Sequence, residues 1–579
     1  MSEIPKVNRW IINPYSDALF FIATPVLSLC ALLVANQYYS SEKIALFVLA
    51  FFAVGHHLPG LMRAYGETDL FARYKIRFIV SPVVIASFVG WSVYNGHLGF
   101  FILLAVWDMW HFFMQHYGFM RIYDLKRHKP SRLGSRLDWW VTATWFAYII
   151  ADSPHYLINF LERCHRYGFG FYTWIDPLEF VVVRDLIFYA ALLVSVIYFF
   201  NVIVDYRRGV PIVIPKLAIS ITTFATVYIA YIVLEDVILG YAITALAHDV
   251  QYFAIVWIYN NGVLKRSKLA GKKFFRFLFQ DGRLRLVGFY ILLILGYGGI
   301  EATARATQNF VVYDIVKVII ATSAFLHYYY DGFIWKLRKP EISRNLVENQ
   351  EPNVDAQIPR VTSNFFDWVI RMRDKYIGSS YFFETSKQIV YFGVPILFLA
   401  WTDETYSVTD VSAKKYLSQM APTVAKTHDD LGIAYNREGN LQASIRSHQE
   451  AIRADSNYAI AYTHLGIAYS KLGDRGRAIM YHKTAIQIKP DLPQAHYNLG
   501  AEYLRGKQFE QAIVYLIKAV ELDEEYVLAH KVLAQLYLRT GDITKSNYHD
   551  LKAGRILGAK LTERETMSAM PWATGTPVE

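Results

Sequence analysis

The polar and apolar positions of this chain fall into two regimes. Up to about residue 402, long apolar runs alternate with short polar breaks; beyond it, apolar residues recur at helical spacing on a polar background. A bilayer core needs roughly 20 apolar residues to be crossed by one helix. With that ruler the sequence predicts spans near 17-37, 43-63, 77-95, 98-118, 138-156, 184-204, 215-235, 238-259, 285-301 and 311-332. An eleventh candidate near 381-401 holds one short clean run, IVYFGVPILFLAW, and lengthening it brings in Glu384 and Lys387. The fold class expected is all-α, a polytopic transmembrane helical bundle followed by an α-solenoid.

The solenoid rests on a repeat. From about residue 424 the pattern returns every 34 residues, with DLGIAY at Asp430, HLGIAY at His464, NLGAEY at Asn498 and VLAQLY at Val532. Each is followed by a small residue where a second helix would pack: Ala443 or Ser444, Ala478, Ala512, and Ser546 in the last, atypical copy. Period and small-large alternation resemble tetratricopeptide repeats. No single helix pair can bury its own apolar stripe, so four pairs should stack over 424-558 into a short superhelix with a concave face. The resemblance implies a protein or peptide partner rather than a reaction. The expected organisation is a membrane part over 1-335, a linker over 336-423, the repeats, and a flexible tail over 559-579.

Charge orients the spans. The formal net charge is +10, yet the basic residues gather in short loops after alternate spans: Arg73, Lys75 and Arg77; Lys126, Arg127 and Lys129; Arg207 and Arg208; Lys265, Arg266, Lys272 and Lys273; Lys336, Arg338 and Lys339. That is a positive-inside pattern rather than a nucleic-acid footprint, and it puts the amino terminus in the cytoplasm of what reads as a bacterial inner-membrane protein. The side occupied by the repeats depends on the eleventh segment; WTDET after it carries no basic stop, which favours crossing and an extracytoplasmic tail. The first apolar run lacks a small-residue cleavage site and reads as a retained span. Cys30 and Cys164 are the only cysteines, so neither a disulfide framework nor a cysteine-based zinc site is available.

Histidines then change the picture. They interrupt four apolar stretches, as GHHLPG at His56 and His57, WDMWHFFMQHYG at His111 and His116, LAHDVQY at His248 and FLHYYYDG at His327. Given the topology above, all but His248 fall near the cytoplasmic ends of spans two, four and ten, and His248 lies nearer the middle of span eight. Polar groups at such depth are costly, so a shared depth calls for a shared purpose. Residues three, four or seven apart share a helix face: Asp108, His111 and Gln115; His248, Gln251 and Tyr252; His327 and Asp331. Imidazole-rich, thiolate-free ligation with some carboxylate suits iron, zinc or copper. A lone intramembrane histidine is more often an interhelical hydrogen-bond donor, so each position has that plainer reading too. One of His56 and His57 is expected to bind and the other to pack; His116 lies off the Asp108 face. Gln115, Gln251 and Tyr252 are expected to support ligands at most. Tyr328 to Tyr330 read as an interfacial aromatic belt, and the polar stretch from Arg63 to Lys75 as a juxtamembrane anchor or lid.

These spans resemble polytopic membrane oxygenases and desaturases, including bacterial carotene-cleaving enzymes whose histidines line a helical bundle. Desaturase His-x-x-His-His boxes are missing, so no family residue carries over. The resemblance implies a metal-dependent oxidoreductase of oxygenase, hydroxylase or desaturase type, holding one or two iron ions and acting on a lipid or isoprenoid-like substrate from the bilayer. Its metal ligands would come from His56, His57, His111, His116, His248 and His327, with Asp108 and Asp331 as ligands or orienting catalytic groups. Two rival readings are a lipid-linked glycosyl or group transferase, for which the first outer loop offers only Glu42, and an assembly scaffold without catalysis.

Overall fold

The computed structural model describes residues 10–335, except 96, 98, 128–131, 267–270, 280–283 and 307–309, then 408–568, with scattered positions between. Among the described residues every regular element is a helix, and the one β contact is an isolated bridge between Glu67 and Gly271. The chain divides into two compact units, 1–159 with 182–405, and 160–181 with 406–579.

In the first unit, five helices are long and apolar enough to cross a membrane: Ser41–Gly66, Lys75–Tyr94, Pro177–Arg207, Ile214–Val233 and Val311–Ile334. Pro14–Ile22 and Thr24–Ala35 pass the same test only when taken together, with a bend of 53° between them, the geometry of a broken span or of a re-entrant loop. Helices Phe100–Arg127, Arg132–Asp152, Val237–Arg266 and Leu284–Ala306 overlap most of the other four predicted spans and fall outside that set; the predicted 138-156 breaks at Ser153, after which helix Pro154–Arg166 begins. Most of the candidate eleventh span lies outside the described residues. Leu186, Leu193, Val196 and Phe200 leave Pro177–Arg207 with an exposed apolar flank, a surface that water would disfavour and hydrocarbon would not.

Three helices carry a π-helical stretch, Ala18–Ile22, Leu49–Ala53 and Ile229–Val233. In each the closing hydrogen bond reaches five residues back, as from Val54 N to Leu49 O at 3.0 Å. Such bulges accommodate one extra residue and re-aim the next turn of helix, often at functional sites. Against the second of them packs Gly298, where a Cβ would lie 2.2 Å from Ala50 O; only glycine allows the two backbones to touch.

The second unit is built from four helix pairs, Ala425–Arg437 with Leu441–Ala454, Ala459–Lys471 with Arg475–Ile488, Pro493–Arg505 with Phe509–Leu522, and Val527–Thr540 with Ile543–Ser568. The last helix thus continues past 558, where the sequence suggests a flexible tail. Alanines with no exposed surface, Ala451, Ala485 and Ala519, and leucines such as Leu465, Leu499 and Leu533 fill the contacts between helices. One side chain per repeat ties the first helix to the loop before it. His428, Tyr462, His496 and His530 each make a hydrogen bond to the carbonyl six residues earlier, on Pro422, Ser456, Pro490 and Glu524, at 2.9–3.2 Å.

Helix Asp410–Met420, within the stretch read as linker, buries Ala413 and Leu417. Residues 160–181, read as a loop between spans, also belong to this unit. Tyr416 Oη donates to Ile175 O at 2.7 Å, and Glu162 faces Lys414 and Lys426 at 3.3 and 3.1 Å.

Candidate metal centre

Four helices of the first unit bring their histidines to one place. His56 follows the π-helical stretch Leu49–Ala53 and precedes helix His57–Gly66; His111 comes from Phe100–Arg127, His248 from Val237–Arg266 and His327 from Phe310–Ile334. Ring centroids lie 4.6 Å apart for His56 and His327, 4.6 Å for His111 and His327, 4.9 Å for His111 and His248, and 5.4 Å for His56 and His248. His56, His248 and His327 are each under 5% exposed.

The nitrogens converge as well as the rings. His111 Nε2 and His327 Nε2 are 3.1 Å apart, and Asp331 Oδ2 lies 3.7 and 3.8 Å from them. Two atoms bound to one ion at about 2.1 Å each sit roughly 3–4 Å apart, so these separations have the right size. Donor atoms of His56, His111 and His327 all lie within 4.8 Å of one another, as do those of His56, His248 and Asp249. His56 belongs to both groups, and its Nδ1 is 3.0 Å from Asp249 Oδ1.

The polar accounting points the same way. His56 Nε2, both nitrogens of His248, His327 Nδ1 and Asp249 Oδ2 are buried without a hydrogen bond. Each such group costs about 1–3 kcal/mol when left unpaired, so a set concentrated here fits a cation-binding cluster better than a packed core. A metal ion with nitrogen and oxygen ligands matches this donor set.

Neighbouring side chains orient the cluster. Asp331 Oδ1 accepts from Tyr252 Oη at 3.2 Å and from Trp335 Nε1 at 3.1 Å, leaving Oδ2 toward the imidazoles. Beneath Trp335, fully buried Arg63 stacks its guanidinium 4.0 Å from that ring and 3.8 Å from Tyr259, and donates to Ile334 O. Asp108 accepts from Tyr241 Oη at 2.7 Å and Tyr328 Oη at 3.1 Å, so both its oxygens are engaged by phenols. Gly60 lets helix His57–Gly66 close over the site, since a Cβ there would meet Tyr252 Oη at 2.9 Å and His327 Nδ1 at 3.3 Å. Asp108, His56, His248 and Asp249 line a small cavity of about 20 Å³, walled by Ala53, Met109, Phe112 and Ala245, room for about one water.

Measured against the sequence reading, His56, His111, His248, His327 and Asp331 come together. His57 flanks them, 5.3 Å from the His327 ring, and stands in neither donor group. His116 points elsewhere, packing on Phe224 at 5.3 Å. Gln115 donates to His248 O and Gln251 to Phe21 O, both bracing backbone. Arg63 is a buried prop rather than a surface anchor, and Tyr328 holds Asp108 rather than facing an interface. Asp249, unremarked in the sequence, enters directly; its only signal is its place beside His248 in LAHDVQY.

Comparison with known proteins reaches the second unit. The tetratricopeptide-repeat family matches residues 459–492 and 493–526. These two segments are tetratricopeptide repeats. The helix pairs on either side keep the same spacing, with first helices starting at Ala425, Ala459, Pro493 and Val527. Among solved structures, the crystal structure of MamA is 23% identical and covers 26% of this chain and 89% of its own, at a TM-score of 0.24. A MamA fragment from Desulfovibrio magneticus RS-1 is 23% identical over 25% of this chain and 85% of its own, at 0.23. YrrB, described as a tetratricopeptide-repeat protein with an unusual peptide-binding site, is 16% identical over 25% and 75%, at 0.22. No curated protein matches the chain.

Proposed function

We propose that the protein is an integral-membrane, metal-dependent oxidoreductase acting on a lipophilic substrate, with a tetratricopeptide-repeat part that recruits a protein or peptide partner. The observation that carries the reading is the meeting of His56, His111, His248, His327, Asp249 and Asp331, from four helices, with donor atoms at ligand-to-ligand separations. Iron is the preferred ion, because His111, His327 and Asp331 form the two-histidine, one-carboxylate set that non-haem iron oxygenases use. Bound there, iron would supply the oxygen and electron-transfer chemistry that no side chain provides.

The chain's own groups have definable tasks. Tyr252 and Trp335 hold Asp331 in one orientation, Asp249 brings a carboxylate oxygen within 3.0 Å of His56 Nδ1, and Asp108 accepts from the Tyr241 and Tyr328 phenols beside the cluster. Met109, Phe112 and Ala245 form the apolar wall of the small cavity beside the cluster, and a lipophilic molecule reaching the cluster from the bilayer would meet only dispersion contacts there.

The repeats are assigned to the extracytoplasmic side. By the positive-inside pattern, residues 160–176, between the fifth and sixth predicted spans, are expected on the outer side, and they belong to the same compact unit as helix Asp410–Met420, with Tyr416 donating to Ile175 O and Lys414 facing Glu162. A reporter active only outside the cytoplasm, fused after residue 579, should therefore be active; a silent fusion in well-expressed protein returns the repeats to the cytoplasm.

The central test is metal analysis of detergent-purified full-length protein beside His111→Ala and His327→Ala. Wild type should retain iron, and each variant should lose at least about nine-tenths of it, a change of roughly 1.4 kcal/mol or more in binding. Wild type that takes up no transition metal under reconstitution ends the proposal.

A further inference from the structure

A second cluster of metal-ligating side chains lies in the repeats. Asp429 stands on helix Ala425–Arg437, His448 on Leu441–Ala454 and His464 on Ala459–Lys471, so the three come from both helices of one repeat and the first of the next. His448 Nδ1 is 2.8 Å from Asp429 Oδ1, and His464 Nδ1 is 3.0 and 2.9 Å from the two carboxylate oxygens. All three donor atoms lie within 4.8 Å of one another. Asp429 and His448 are buried, while His464 is 27% exposed at its side chain and leaves the cluster one open edge.

Repeat architecture does not require this arrangement. One period on, the equivalent positions hold Thr463, His482 and Asn498, and a further period on Tyr497, Leu516 and Val532. His482 packs on Gly466 just as His448 packs on Gly432, with Cε1 2.5 Å from where a Cβ would stand in both cases. A histidine at 448 is thus ordinary for the stack. A buried carboxylate at 429 facing a third-helix imidazole is the addition peculiar to the first junction.

We infer that Asp429, His448 and His464 form a divalent-cation site of the zinc class that clamps the first repeat to the second. Two imidazoles and one carboxylate are a zinc-type donor set, and a water at the open edge would complete four-coordination. Tetrahedral ligation at about 2.1 Å spaces ligand atoms roughly 3.4 Å apart, so the present contacts need to open by about half an ångström. The ion would replace the hydrogen bonds that now join the rings to Asp429, and it would tie both repeats at a point where water has access only past His464.

The test uses the full-length chain in detergent, stripped with chelator and titrated with zinc alone. Total zinc bound, and hydrogen exchange in peptides spanning 425–470, are compared for wild type, Asp429→Asn, His464→Asn and His482→Gln. At zinc about tenfold above its Kd, opening of a stabilised segment is suppressed about tenfold. Wild type and His482→Gln should show that slowing at 425–470, and Asp429→Asn and His464→Asn should lose it together with one zinc per chain. Exchange at 493–526 reports whether each variant is folded; His464→Asn, at the exposed edge, keeps the experiment decisive if Asp429→Asn is not. Equal zinc counts in wild type and both variants, with no slowing at 425–470, would overturn the site and leave a hydrogen-bonded triad. Zinc taken up by the membrane histidines adds equally to every arm, so failure here is separable from failure of the oxidoreductase reading.

Discussion

Tyr252 shows how much of the membrane cluster is set by side chains that need not touch an ion. Its hydroxyl and the Trp335 indole together occupy Asp331 Oδ1 and so determine which oxygen faces His111 and His327. Removing such a partner typically weakens metal retention about 10- to 100-fold. Tyr252→Phe should therefore release iron to a competing chelator within that range while leaving the helices intact; retention equal to wild type would reduce Tyr252 to packing. The sequence shows Asp331 because it lies four residues from His327 on one helical face, and it hides Asp249 because a neighbour at i+1 is turned about 100° away on the same helix. That turn matters little when the partner, His56, arrives from a different helix. For the same reason His116, close to His111 in sequence, ends against Phe224.

At the level of the element, the π-helical stretches explain why helical spacing alone could not complete the site. Periodicity assumes 3.6 residues per turn, and Leu49–Ala53 departs from it one turn ahead of His56. Deleting Phe52 should convert the stretch to regular α-helix and leave its two halves in nearly the same mutual orientation, because the bulge is what absorbs the extra residue. The deletion should therefore still retain iron, as should Phe52→Leu, which keeps the residue count; loss of iron by about tenfold or more in the deletion alone would show that the bulge itself aims His56. Equal loss in both would mean that bulk at Phe52, not register, is what the site needs. The helices behind the ten predicted spans were readable as apolar runs, and each prediction coincides with helix in part; of the four outside the set long and apolar enough to cross, two carry His111 and His248, and another holds only the short apolar stretch Leu286–Ile300.

Considered whole, the molecule joins a unit whose buried polar groups serve a cluster to one whose buried polar groups mostly serve the stack. His482 is of the second kind: burial, with the Arg505 charge and then His464 nearby, pushes its imidazole down to about 4. Between pH 6.5 and about 4 the unfolded chain therefore binds a proton that the folded one refuses, so its contribution is full above 6.5 and falls as pH drops toward 4. The integrated effect is of order 3 kcal/mol. His482→Leu, which installs the residue found one period later at Leu516, should flatten the acid limb of repeat unfolding, read as the urea midpoint by proteolysis between residues 425 and 540. An unchanged pH dependence would place the acid sensitivity elsewhere. The 34-residue repeat was plain in the sequence because local pairs recur. The capture of residues 160–181 by this unit was not, since it depends on contacts more than 200 positions apart, such as Tyr416 with Ile175.

The tethers from His428, Tyr462, His496 and His530 to carbonyls six positions back have a corollary for how such a rod can vary in length. Excising residues 459–492 would join Tyr458 to Pro493 and leave Ser456 six places before His496, so the knot between adjoining units re-forms with a new pair of members. A rod trimmed in this way should stay continuous, yet Asn498 would then stand where His464 had been, and the cation clamp would vanish from an otherwise sound scaffold. Length and ion dependence can thus be inherited separately.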